Sequence, residues 1–257
     1  MRSIWSGAIG FGLVNIPVKL FSAVQASELD LDMLDKKDHS KIRFQRINES
    51  TGKVVEYANI VRAYNLDGQY VVLDDEDFKK ASPEKTKMIE IAEFVDEKEV
   101  DSMYFENPYY LEPQKAGVKA YGLLRDALKK TGKTGLSTFV LRSKESLALL
   151  KVSGDILILQ KIRYEEEIRK PDDLTIPESA SKPAELKMAI NLIEQLSGKF
   201  DISKYKDTYS DELMKLIHAK AKGKKLPAPT MRVVHSKSTD LMSQLKASLE
   251  TKKKKAS

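Results

Sequence analysis

The sequence of 257 residues contains no cysteine, and this absence excludes several kinds of chemistry. Without a thiol there is no disulfide framework, no thiolate metal site, no iron–sulfur cluster and no cysteine nucleophile. Histidine is scarce too: His39, His218 and His235 are far apart, and none has a second histidine three or four residues away. We therefore expect no metal ion and no cofactor. We predict a cytoplasmic protein, because nothing in the sequence needs an oxidising compartment.

Long apolar runs are also absent. No segment approaches the roughly 18 apolar residues of a membrane-spanning helix, so we expect no membrane partner. The first 21 residues are rich in glycine, contain Asn15 and Pro17, and lack a signal-peptide cleavage pattern. They predict a pair of strands instead, with Ile4–Ser6 followed by a glycine-containing turn and then by Phe11–Phe21.

Catalytic motifs are missing as well. Residues 132–134, Gly-Lys-Thr, resemble the end of a phosphate-binding loop, but Ala127 stands where that motif needs a glycine, and the predicted order of helix and strand is reversed. Residues 10–12 begin a dinucleotide fingerprint in which Asn15 replaces the third glycine. No serine lies in a nucleophile-elbow sequence. The sequence therefore predicts no catalytic residue and a protein that is not an enzyme.

Charge is distributed unevenly along the chain. The net charge is +6, yet residues 1–212 sum to −4 and residues 213–257 to +10. Within the first part, residues 36–62 sum to +4, residues 64–112 to −9 and residues 115–163 to +8. Such blocks predict one basic surface that binds a polyanion and one acidic surface facing outward. The alternative is ordinary solvated charge, and charge alone does not decide between the two.

The first two thirds of the chain predict mainly β structure, plausibly a barrel. Residues 41–47 alternate polar and apolar side chains, 48–52 form a turn and 53–57 return, which predicts a hairpin. A second hairpin is predicted over 66–73, with Asp67 and Gly68 at its turn. Further strands are predicted over 88–95, 104–111, 135–141, 146–152 and 155–164. Helices are predicted over 74–80 and 115–130, the latter with the apolar face Val118, Tyr121, Leu124 and Leu128.

Two more helices are predicted after Pro177. One begins at Pro183 and ends before Gly198; its apolar face is Leu186, Ala189, Ile190, Ile193 and Leu196. The other runs from Thr208 to Lys222, with Thr208 and Asp211 in capping-box spacing. Residues 224–257 carry nine basic and two acidic side chains, so they predict a disordered basic tail.

Several stretches together carry a family resemblance. The most distinctive is the opening, MRSIWSGAIGFGLVNIPVKLF. It is followed in order by YVVLDDED (70–77), FENPYYL (105–111), KAYGLLR (119–125) and FVLR (139–142). These stretches resemble bacterial Ku, the family of DNA-end-binding proteins of non-homologous end joining. Residues 205–223 are similar to the segment with which that family contacts its ligase, so the resemblance covers about residues 1–223.

The resemblance implies an architecture and a function. It implies a mainly β fold with helices: a Ku-type β-barrel core over residues 1–177 with a protruding bridge hairpin at about 33–63. A small helical segment would follow over 178–223, and the basic tail over 224–257. Two subunits would form a homodimeric ring threaded by double-stranded DNA, and a multifunctional ATP-dependent DNA ligase would be recruited. In a bacterial cell such a protein would be cytoplasmic and associated with the nucleoid.

The same resemblance assigns roles to residues. An end-binding protein must accept any sequence, so it should contact phosphate and sugar rather than bases. The candidate DNA-binding residues are Lys36, Lys37, Lys41, Arg43, Arg46, Lys53, Arg62, Lys129, Lys130, Lys133 and Arg142. The candidate ligase-binding residues are Tyr205, Tyr209, Leu213, Leu216, Ile217 and Lys220.

One departure and one alternative qualify these roles. Many relatives carry a Cys-x-x-Cys pair in the bridge turn, where this sequence has Asn48-Glu-Ser-Thr-Gly52, so no metal is expected there. The alternative is a general nucleic-acid-binding module that acts through its basic C-terminal tail and needs no free DNA end.

Overall fold

A computed structural model describes residues 1–25, 27–81, 87–142, 144–176 and 182–224, together with 243–245 and 248. By its contacts the chain divides into two units: residues 1–26 with 30–170, and residues 27–29 with 171–257. The predicted domain limits at residues 177 and 223 stay predictions.

The regular elements follow the predicted order. The strands are β1 (Trp5–Phe11), β2 (Val14–Ser22), β3 (Arg62–Leu66), β4 (Gln69–Leu73), β5 (Met88–Asp96), β6 (Phe105–Pro113), β7 (Lys133–Leu141), β8 (Lys144–Ser153) and β9 (Ile156–Ile162). The helices are α1 (Asp75–Ala81), α2 (Val118–Thr131), α3 (Pro183–Leu196) and α4 (Thr208–Ala221). Seven strands form a closed barrel in the order β1–β2–β6–β9–β8–β7–β5, which confirms the predicted mainly β barrel with helices.

Gly7 and Gly10 of the opening stretch lie within a barrel strand rather than at a turn. β1 and β2 form the predicted pair, but the turn between them lies at Gly12 and Leu13, which corrects the predicted position. A Cβ on Gly7 would overlap the carbonyl oxygen of Lys87, and one on Gly10 would lie 2.7 Å from the side chain of Met88. The missing side chains therefore let β1 approach β5. These two strands pair in parallel over Ala8–Gly10 and Met88–Glu90, and this pairing closes the barrel.

Helix α2 closes one end of the barrel. Its buried side chains Tyr121, Leu124 and Leu128 join the core, as predicted. The Tyr121 hydroxyl donates to the carbonyl of Leu111 on β6 (2.7 Å) and accepts from the N–H of Leu157 on β9 (2.7 Å). Burial raises the pKa of Tyr121, so the hydroxyl stays protonated at neutral pH. Val118, the fourth member of the predicted face, is exposed instead.

The barrel has two distinct ends. All neighbouring barrel strands except β1 and β5 are antiparallel, so strand direction places each connection: residues 97–104 run from one end to the other between β5 and β6, and each of the remaining connections lies at a single end. Helix α2 joins β6 to β7 at what we term the helix end. Residues 23–87, which we term the insert, leave β2 and return to β5 at the opposite end, the insert end. The turn from β7 to β8 also lies at the insert end.

The insert contains the second predicted hairpin. β3 and β4 pair antiparallel, and positive φ angles at Asp67 (50°) and Gly68 (91°) match a type I′ turn, as predicted. Helix α1 follows where the acidic residues predicted it, with Asp75, Glu76 and Asp77 in its first turn.

The second unit contains α3 and α4. Helix α3 forms over the predicted residues, but its predicted apolar face is not a core, since Leu186, Ile190, Ile193 and Leu196 are all exposed. Helix α4 begins with Asp207 as its N-cap, whose carboxylate accepts from the N–H groups of Tyr209 (3.0 Å) and Ser210 (3.2 Å). This corrects the predicted cap at Thr208. The predicted disordered tail lies outside the described residues, apart from Lys224 and the helical residues 243–245 and 248.

Among the helices that the structure describes, none combines the length and the apolar character needed to cross a membrane.

We predict that Tyr121→Phe destabilises the protein by about 2–4 kcal/mol, because a buried carbonyl and a buried N–H each lose their partner while the packing volume is retained. Tyr70→Phe is the matched control, since Tyr70 is 71% exposed and its substitution should leave stability unchanged. Urea unfolding followed by circular dichroism measures both differences. Equal midpoints for the two variants would show that the Tyr121 hydroxyl does not hold α2 on the barrel.

Candidate nucleic-acid interface

The segment predicted as the bridge is an exposed, irregular part of the insert, which we term the arm (residues 33–61). Two isolated antiparallel pairs hold it: Leu34 with Lys41, and Ile47 with Val54. The strands predicted over 41–47 and 53–57 are wrong, because the pairing does not extend into a ladder. An alternating pattern produces a stable strand where a further strand or a core covers one face. Nearly every side chain of the arm is exposed, so the arm has no such cover.

The turn at the tip of this pairing forms as predicted. The Asn48 side-chain oxygen accepts from the N–H groups of Ser50 and Thr51, both at 3.0 Å. The N–H of Gly52 donates to the Asn48 carbonyl (2.9 Å), and its φ of 66° is one that glycine adopts without strain. The turn is thus held by the chain's own amides. In the part of the chain that the structure describes, no group of three or more His, Cys, Asp or Glu could hold a metal ion.

All seven candidate cations of the insert are exposed: Lys36, Lys37, Lys41, Arg43, Arg46, Lys53 and Arg62. Three of them have local partners. Lys41 forms an ion pair with Asp32 (2.9 Å), and Arg62 pairs with Asp75 (3.3 Å) and stacks on the ring of Phe78 (3.7 Å). The Arg46 guanidinium lies 5.1 Å from the centre of the Tyr57 ring. Exposed ion pairs contribute little, so a phosphate can compete with them.

The four candidate cations of the barrel do not form one group. Lys129 and Lys130 lie in the last turn of α2 and Lys133 begins β7, all at the helix end. Arg142 lies in the turn after β7, at the insert end, with a φ of 54°. Lys133 and Arg142 are about 30 Å apart along an extended strand. Only Arg142 therefore lies at the end of the barrel from which the insert leaves.

The charge blocks of the sequence neutralise each other in part. Lys151 of the basic block pairs with Glu97 of the acidic block. Lys161 (2.7 Å) and Arg163 (3.6 Å) both pair with Glu106, and the hydrogen bond from Lys161 holds the pKa of Glu106 below its ordinary value. The predicted division into one basic and one acidic surface is therefore only partial, since the barrel strands interleave the two blocks. Fewer cations of the barrel stay free for an external anion.

Helix α4 carries the candidate partner-binding residues. Tyr209, Leu213, Leu216 and Lys220 follow one another at helical spacing on one side of α4, and Ile217 lies beside them. Tyr205 precedes the helix and directly follows a short 3₁₀ turn, Ile202–Lys204. Tyr205 is 76% exposed and Tyr209 74%, and Leu216, Ile217 and Lys220 are exposed as well, while Leu213 is half-buried. The structure thus brings these residues together on a largely open surface.

Asp207 fixes where that surface begins. The Ser210 hydroxyl donates to its carboxylate (2.6 Å), and this bond with the two backbone N–H bonds keeps the pKa of Asp207 below its ordinary value. The carboxylate is therefore ionised at neutral pH, at the positive end of the helix dipole.

Two features were missed at the level of the sequence. An apolar groove of about 350 Å³ lies at the helix end between α2 and the first hairpin, lined among others by Phe11, Phe94 and Leu123. Leu123 lies one position before the predicted Leu124 and could have extended that face. The second feature is the pair of exposed aromatic side chains on the arm, Phe44 and Tyr57. The available signal was the presence of two large aromatic residues in a segment that has no core to bury them.

Comparison with known proteins supports the expected resemblance. A family model described as the Ku70/Ku80 beta-barrel domain matches residues 10–188. A protein of Cupriavidus necator named non-homologous end joining protein Ku is 42% identical over 226 residues, which cover 85% of this chain and 67% of its own length. Proteins of the same name from Pseudomonas aeruginosa (41% identical, 86% and 77% covered) and Coxiella burnetii (37% identical, 98% and 96% covered) are also similar. The chain spans 63% of the length of another such relative, from Frankia casuarinae.

Proposed function

The chain belongs to the Ku family, and we propose that it binds the ends of double-stranded DNA in non-homologous end joining, without catalysing a reaction itself. The observation that carries the proposal is the exposed arm, whose lysines and arginines reach solvent on a segment outside the strands of the closed barrel. Contacts from such side chains to phosphate neutralise the DNA backbone and do not depend on base sequence. We place the protein in the bacterial cytoplasm with the nucleoid, where its DNA substrate lies.

We further propose a homodimeric ring. A duplex is about 20 Å wide, and one subunit offers a single arm, so a second copy is the simplest way to surround the DNA. The hairpin β3–β4 supports this proposal. Tyr64, Leu66 and Val71 share one of its faces and are 43% to 65% exposed. A two-stranded sheet is marginally stable alone, and a second copy that covers this face would bury those side chains.

The partner-binding residues on α4 favour recruitment of a multifunctional ATP-dependent DNA ligase. Tyr205, Tyr209 and Leu216 combine aromatic and aliphatic surface with the cation of Lys220, a composition typical of protein-binding surfaces.

Binding through the basic tail alone is the competing function, and DNA topology separates the two. A ring needs a free end to thread the duplex, whereas an electrostatic tail binds linear and covalently closed DNA alike.

We predict that the full chain binds linear duplex more tightly than covalently closed circular duplex of the same sequence. Deleting residues 224–257 removes nine cations, so the affinity for both forms should fall, while the preference for linear DNA persists. A competition assay with one labelled linear duplex and both unlabelled competitors measures this. Loss of the preference upon deletion would assign binding to the tail and contradict the ring.

We predict that Lys41→Glu combined with Arg43→Glu weakens binding to all duplex sequences about equally, because both side chains contact phosphate. Two lost phosphate contacts should lower the slope of log affinity against log salt by roughly two. Lys79→Glu combined with Lys80→Glu on α1 is the matched control, with the same change in charge and both residues exposed. Equal slopes for the two double variants would move the interface away from the arm.

We predict a dimer in solution, with and without DNA. Multi-angle light scattering at micromolar concentration measures the mass directly. Tyr64→Asp combined with Val71→Asp should shift the mass to the monomer, because it charges the exposed face of β3–β4. A wild-type mass equal to the 29.0 kDa of one chain would contradict the ring.

A further inference from the structure

The arm carries two large aromatic side chains that no core covers. Phe44 is 80% exposed and Tyr57 is 77% exposed. The pair Ile47–Val54 and the hydrogen bond from the N–H of Val55 to the carbonyl of Arg46 (2.8 Å) set the register between the two sides of the arm. The pairing does not continue beyond these residues, and Tyr57 opens a 3₁₀ turn. Phe44 and Tyr57 therefore lie on the two sides of the arm, each two residues beyond its last paired residue.

Their surroundings are basic. Residues 41–53 contain four cations, Lys41, Arg43, Arg46 and Lys53, and one acid, Glu49. The guanidinium of Arg46 already lies over the Tyr57 ring at 5.1 Å. Exposed aromatic rings among cations are the arrangement with which proteins bind single-stranded nucleic acid, because every base offers a π face to stack on and the cations neutralise the neighbouring phosphates.

Duplex DNA alone does not explain these rings. Bases inside a duplex are stacked on each other and unavailable to a side chain, so a purely duplex-binding arm would need the cations and not the aromatic rings. Unpaired bases become available where a broken end carries a single-stranded overhang. The charge of the arm matches such a strand, whereas a second copy of this chain would bring the same positive charge against it.

We propose that Phe44 and Tyr57 form a stacking site for the unpaired bases of a single-stranded overhang at the DNA end. This inference rests on the proposed end binding and extends it: the cations hold phosphates of any end, and the two rings distinguish ends with an overhang from blunt ends. Stacking itself releases no counterion, whereas contacts to the overhang phosphates do, so the preference for an overhang should become smaller as salt rises but should not disappear, while the affinity for both ends falls.

The test uses the full chain and duplexes closed by a hairpin loop at one end, so that each offers a single free end, either blunt or with a short thymine overhang. We expect wild-type protein to bind the overhang at least about fivefold more tightly than the blunt end, the lower range of stacking on one base. The ratio should be larger at low salt and should stay above one at physiological salt, where stacking is the part that remains. A fluorescent 2-aminopurine placed in the overhang should be quenched on binding.

Two double variants test the rings themselves. Phe44→Leu combined with Tyr57→Leu keeps apolar bulk and removes the π faces, so it should bring the ratio to near one and abolish quenching, with the affinity for the blunt end unchanged. Phe44→Trp combined with Tyr57→Trp keeps both π faces and should retain the ratio and the quenching.

Each other outcome contradicts the proposal. A wild-type protein that prefers ends but binds both duplexes equally would overturn the stacking site and leave end binding intact. A leucine variant that keeps the overhang preference would show that apolar bulk suffices. If the leucine variant lost its dimeric mass, the rings would serve contact between copies. Failure of the wild type to distinguish linear from closed circular DNA would instead remove the proposed function itself.

Discussion

The short parallel pairing of β1 with β5 is the constraint on which the architecture depends. It spans three residue pairs and requires Gly7, because a Cβ there would overlap the backbone carbonyl oxygen of Lys87, whereas a Cβ at Gly10 would displace only the end of the Met88 side chain. β1 lies between β2 and β5 in the barrel, so the strand that precedes the insert and the strand that follows it are separated by a single strand. Two neighbouring strand spacings amount to roughly 10 Å. The barrel thus fixes both ends of the insert close together, and nearly every side chain of the arm within it is exposed.

Ion pairing within the barrel concentrates free positive charge on the arm. Lys151, Lys161 and Arg163 belong to the most basic block of the folded part, yet each contacts a carboxylate supplied by the acidic block. The strand order brings these blocks side by side. The exposed pairs of the insert, Lys41 with Asp32 and Arg62 with Asp75, are weaker, since both partners are solvated and an incoming phosphate can replace the carboxylate. Charge counted along the sequence therefore makes the barrel look more basic, relative to the arm, than it is once its ion pairs are taken into account.

Local signals in the sequence predicted much of the fold. Asp67-Gly68 predicted a hairpin that forms with those residues in the left-handed region, and the spacing of Tyr121, Leu124 and Leu128 predicted the buried face of α2. The errors have a common cause. Gly7 and Gly10 suggested a turn, but they lie within β1 and contact residues about 80 positions later in the sequence. The alternating residues 41–47 do not form a strand, because no further layer covers them. Both depend on partners distant in sequence.

The residue types of the candidate interface could be predicted from the sequence, but the places of those residues in the fold could not. The cations of the arm follow one another in the sequence, so their common exposure could be anticipated. The separation of Lys133 from Arg142 followed from the strand predicted over 135–141, but which end of the barrel each residue reaches depends on the order of the strands and could not be anticipated. Likewise, the ion pair of Lys41 with Asp32 follows from the isolated pairing of Leu34 with Lys41, which no periodicity of the sequence describes.

The distribution of contacts along the sequence has a consequence for synthesis on the ribosome. α2, β7, β8 and β9 lie within residues 118–162 and contact one another locally, whereas β2 pairs with β6 through Leu20 and Leu111, and β1 with β5 through Ile9 and Ile89. Contacts of large sequence separation form late because a long loop must close first. The N-terminal hairpin therefore leaves the ribosome first and waits longest for its partners, with Ile16, Val18 and Leu20 exposed in the meantime. During that interval the nascent chain is most prone to aggregate.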